Sequence, residues 1–229
     1  MQINGYKIKY SEQELADMMD NKTINIDLAG PDLPSYQELS EGNRKALEHL
    51  LIAAKMMNNV ALEQDNPHNL EMKKALEKEA AHSTHAARAL ELFNSLNGVA
   101  GFNGVDKQPI EIFEGLPLLK GHNFYPQDLT EQEFQDILID MLTSGKIDEV
   151  KKILSARTMV RRNGAELEAI DYTEYFAKDF SAIANELEVA AHYTDDHAFE
   201  DYLGWQAQAL LQNNPEMDSL ADKHWAVLQ

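Results

Sequence analysis

The chain has 229 residues and a formal net charge of −19, from 20 basic and 39 acidic side chains, and it contains no cysteine. So acidic a surface repels phosphate backbones and anionic headgroups, which argues against nucleic acid and anionic membrane as partners. Without thiols there is no disulfide, no thiolate metal site and no cysteine nucleophile, a composition that fits a cytoplasmic protein.

The opening "MQINGYKIKY" has no apolar stretch of the kind that marks a secretory signal. Nowhere does the chain approach the ~20 apolar residues of a membrane span. The opening alternates and is rich in β-branched and aromatic residues, so it reads as a short strand. Ser11 and Glu14 have capping-box spacing and open a short helix. Gly30, Pro31 and Pro34 then interrupt any element, so residues 1–34 read as an irregular lead. Residues 35–229 read as a single helical domain.

From Ser35 or Ser40 to about Asp65, the positions Leu47, Leu50, Leu51, Ala54, Met57, Val60 and Ala61 repeat at helical spacing. Asn66-Pro67 stops that helix. A second stripe (Leu70, Leu76, Ala80, Ser83, Ala87, Leu90, Leu96) predicts a helix over 67–97, closed by Gly98. The two are expected to form a long antiparallel hairpin. Residues 98–127 form an irregular stretch, and loops of that length are often functional. Thr130 is placed to cap the next helix, over 130–143, with Glu133 at the reciprocal position and Leu129 and Phe134 at staple spacing. A shorter helix is expected at 146–155. Asn163-Gly164 between two alternating runs predicts a β-hairpin over 157–170. Helices follow at 172–194, 196–212 and 217–228, with Trp205 and Trp225 expected in the core. The fold class is mainly α, with long antiparallel helices and one or two small β-hairpins.

Three constellations could carry chemistry. Glu79, His82 and His85 have the spacing of half a carboxylate-bridged metal site on a bundle helix. No second such pair accompanies them, so no metal site is expected there. Arg157, Arg161 and Arg162 gather positive charge in an acidic chain; they serve charge balance or hold an anion. Asn123, Phe124 and Tyr125 stand in a loop whose local physics does not explain them. These last six residues are the candidate ligand or interface positions. The sequence has no phosphate-binding glycine loop, no serine elbow and no His-Glu-x-x-His helix.

The order of motifs resembles the dipeptidyl peptidase III family of zinc metallopeptidases, in its bacterial branch. The segments that carry the resemblance are "GHNFYPQDLT" (121–130), "SARTMVRRNGAELEAIDYTEYF" (155–176), "ALEQDNPHNLEMKKALE" (61–77) and "DYLGWQAQALLQNNPEMDSLADKHWAVL" (201–228). The resemblance implies a non-catalytic, amino-terminal helical region. The family's zinc-binding His-Glu helix and its later Glu-bearing helix have no counterpart here. It therefore implies zinc in the full-length family, no cofactor and no activity in this chain alone, and a catalytic part, or a second copy, as partner. The residues leave open a helical peptide- or protein-binding module, and a metal-carboxylate bundle on Glu79, His82 and His85.

Overall fold

The computed structural model describes residues 1–20 and 32–228. Among these the fold is mainly α, with small antiparallel two-stranded sheets between the helices. The Gly30-Pro31 break lies outside the described residues. The chain divides into two compact units, Met1–Ile26 with Ala61–Gln127, and Asp27–Val60 with Asp128–Gln229.

The first unit opens with a hairpin of β1 (Gln2–Ile3) and β2 (Tyr6–Lys7). Asn4 and Gly5 turn it at φ of 47° and 85°, the two left-handed positions of a type I′ turn. Helix α1 (Glu12–Met19) begins at the expected capping box, Ser11 accepting from the Glu14 amide and Glu14 from the Ser11 amide. The last turn of α3 (Glu41–Asp65) enters this unit.

The single helix expected over 67–97 is two helices, α4 (Asn69–Ala80) and α5 (Thr84–Leu96). Ser83 is extended, and its hydroxyl accepts from the Ala86 amide, so it caps a new helix rather than continuing the old one. The break lets α5 fold back on α4 and pack on α1. Their shared core includes Leu15, Leu62, Met72, Leu76, Leu92, Phe93 and Phe113.

The stretch expected to be irregular contains a second hairpin, β3 (Ala100–Phe102) with β4 (Pro109–Glu111). Its glycines and Pro109 read as breakers in sequence. In the fold a Cβ on Gly101 would meet the Leu96 side chain at 3.1 Å, a tight contact to which that side chain would have to yield.

The second unit holds α2 (Pro34–Gln37), most of α3, α6 (Glu131–Thr143) and α7 (Ile147–Ile153). A hairpin of β5 (Thr158–Asn163) and β6 (Glu166–Asp171) follows, close to its expected place. Gly164 turns it at φ 62°. The remaining helices are α8 (Tyr172–Tyr175), α9 (Ala177–Tyr193), α10 (His197–Leu211) and α11 (Pro215–Trp225). Helix α10 packs on both α9 and α11.

Small residues let the helices of this unit close up: Ala46, Ala190 and Ala191 pack with Leu203. Gly42 lies so near the Tyr193 carbonyl that a Cβ has no room. Asn43 Oδ1 accepts from the Thr194 hydroxyl (2.9 Å) and the Asp195 amide (3.2 Å). Asp196 caps α10, its carboxylate accepting from the Ala198 and Phe199 amides. The tryptophans depart from expectation. Trp205 is half-buried and stacks on His224, whereas Trp225 is 59% exposed, resting one face against Tyr202.

Candidate functional site

The last four carbonyls of a helix have no partner within it. At the end of α3 the loop at 121–126 supplies partners. The Asn123 amide donates to the Gln64 carbonyl, and its side-chain nitrogen donates to the Glu63 carbonyl, both at 2.8 Å. Asn123 is buried, so its polar groups are matched inside the fold. His122, left-handed at φ 49°, places Nδ1 2.7 Å from Asp65 Oδ1 and its ring edge-on to Phe124. Phe124 and Tyr125 are half-buried beside it.

The other Asp65 oxygen accepts from Asn69 Nδ2 at 3.1 Å. Asn69 is fully buried. Its amide nitrogen also donates to the Leu62 carbonyl, and its oxygen accepts from the Val99 amide, both at 2.9 Å. Gly98 completes the arrangement: a Cβ there would meet Asn69 Nδ2 at 3.0 Å and Asp65 Oδ2 at 3.2 Å. A polar node of Asp65, Asn69, His122 and Asn123 thus closes α3 and fixes the chain leaving α5. Sequence reasoning singled out Asn123 but missed Asp65 and Asn69. The "DNPHN" junction carries the signal, three residues that cap or turn in quick succession.

The three arginines do not form one cluster. Arg161 and Arg162 are consecutive on β5, so the pleat sends them to opposite faces. Arg162 is bidentate on Glu133 (2.8 and 3.0 Å) and donates from Nε to Asp128 (2.8 Å). The Arg162 hydrogen bond holds the Glu133 carboxyl below its ordinary value, and Glu133 in turn raises the guanidinium. Arg161 donates to the Tyr175 hydroxyl at 3.0 Å and lies 5.0 Å above that ring. Arg157 precedes the strand and pairs with Asp218 on α11.

Glu79, His82 and His85 lose their helical adjacency at the Ser83 break. Glu79 lies in the last turn of α4, His82 sits exposed in the turn that follows, and His85 Nε2 lies 2.9 Å from the Tyr10 carbonyl oxygen. Among the described residues no three His, Asp or Glu side chains converge as a metal site would need. No described helix is long and apolar enough to cross a membrane.

No family model matches the chain, and no curated protein matches it. Two solved structures do. The structure of DPP III from Caldithrix abyssi is 30% identical over 83% of this chain, with a TM-score of 0.67. The structure of dipeptidyl-peptidase III from Corallococcus sp. strain EGB matches 95% of this chain with a TM-score of 0.73 at 18% identity, a likeness of fold alone. This chain spans 34% and 37% of those two chains. The likeness to dipeptidyl peptidase III first visible in the order of motifs thus extends to the fold, and the chain corresponds to about a third of such a protein, consistent with its amino-terminal region.

Proposed function

We propose that this chain provides the helical, non-catalytic part of a cytoplasmic dipeptidyl peptidase III-type peptidase, and that zinc and bond cleavage belong to a complementary part. The carrying observation is the match at 30% identity to about a third of the Caldithrix abyssi protein. The absence of any His-Glu-x-x-x-Gly-His helix from the sequence supports the same reading. A zinc peptidase needs three protein ligands and an open position for water. On this reading the segment at 121–126 and the arginines Arg161 and Arg162 serve the scaffold, and the complementary part is the partner.

The test uses the purified chain supplied with zinc. Expected are no dipeptide release from amino-terminal dipeptidyl arylamides and no stoichiometric zinc by elemental analysis. One tightly held zinc per chain together with dipeptide release would overturn the proposal. Sedimentation of the chain with and without a complementary part of a dipeptidyl peptidase III separates that partner from a second copy. Self-association with no binding to the complementary part counts against it.

A further inference from the structure

We propose that the cleft bordered by Arg157 and Asp218 binds a free α-amino acid with an apolar side chain. The cleft encloses about 380 Å³ between α8, α9, α10, the first turn of α11 and the segment before β5. That volume lies within the range of small-molecule sites. Phe180, Ala209 and Leu210 give it an apolar wall, and Gln206, Gln212 and Asn213 add amide groups.

At the rim Arg157 Nη2 contacts Asp218 Oδ2, with the two side chains 29% and 46% exposed. An ion pair this accessible contributes little net stability, so parting it costs little. An α-amino acid carries its carboxylate and ammonium on one carbon, at the spacing of a contact ion pair. Inserted here, its carboxylate takes guanidinium donors and its ammonium takes the Asp218 carboxylate. One ion pair becomes two charge-assisted ones, and no charge is left alone. The side chain then lies against Phe180 and Leu210. The zwitterion is preferred over a bare carboxylate because the chain's net charge of −19 opposes any ligand that arrives as an anion.

The test is a titration of the full chain with L-leucine at millimolar concentration, followed by amide chemical shifts. Expected are saturable shifts around Arg157, Phe180 and Asp218. N-acetyl-L-leucine lacks the ammonium and L-leucinamide lacks the carboxylate; each is expected to bind at least about tenfold more weakly. Arg157→Gln and Asp218→Asn, shown to be folded by circular dichroism, should each weaken leucine by about the same factor. Either analogue binding as well as leucine would overturn the proposal. So would leucine-independent spectra of the unsubstituted chain, or unchanged leucine affinity in both variants.

Discussion

Asn69→Ala perturbs the node at the end of α3 without touching any surface. Asn69, Leu62 and Val99 are all fully buried. The substitution removes the acceptor of the Val99 amide and the donor to Leu62 and Asp65. The Leu62 carbonyl keeps the Asn66 amide at 3.1 Å, so it is not orphaned. The Val99 N–H has no such reserve, and a stranded buried donor costs about 1–3 kcal/mol. Two further lost bonds, at about 0.5–1.5 kcal/mol each, bring the expected loss to about 4 kcal/mol. In a chain of this length that is a fall of about 8–16 °C in melting temperature. Urea unfolding measures the loss directly, and amide exchange at Val99 reports whether protection falls there first. A loss under about 1 kcal/mol, with Val99 still protected, refutes the assignment of Asn69 as the keystone of this junction.

Gly42→Ala sets a methyl against the Tyr193 carbonyl and should cost about 1–3 kcal/mol as overpacking; an unchanged denaturation midpoint would count against the close approach of α3 and α9. Thr130→Ala removes the hydroxyl that accepts from the Glu133 amide at 3.2 Å and should cost about 1 kcal/mol, read from the same midpoint. Glu133→Gln should lower stability at neutral pH. The Glu133 carboxyl is depressed below 4.5 by Arg162, so its contribution is present above 4.5 and is lost as pH falls through the depressed value. The gap between the two proteins should therefore close in acid; a gap that widens as pH falls would reverse the argument.

Local chemistry was legible in the sequence. Ser11 with Glu14 forms the capping box its spacing indicates, Thr130 caps α6 by accepting from the Glu133 amide, and Asn163-Gly164 marks the hairpin, although Asn163 ends β5 and the turn itself is Gly164-Ala165. The Ser83 break was hidden because serine fits an alanine-rich stripe as readily as a cap, and only packing of α5 on α4 and α1 decides between them. The hairpin over 100–111 was masked by glycines and a proline that disfavour strands in general but suit this crowded, short ladder. Asn123 had no local explanation because its partners lie sixty residues back, on the last carbonyls of α3. The arginines looked like a cluster only because neighbours along a strand are not neighbours in space.

The capping of α3 by Asn123 also sets an order on the ribosome. Glu63 and Gln64 are synthesised long before the residue that satisfies them, so the end of α3 stays open to water until the 121–126 segment emerges. The first unit has all its residues once Gln127 has been added, whereas the second began earlier and still lacks about a hundred more. At roughly 5–20 residues per second that is a wait of several seconds. During that wait the first part of α3, with Ala46 and Gly42 prepared for α9 and α10, lacks those two helices. Its exposed face is where a nascent chain of this protein would most need protection from its neighbours.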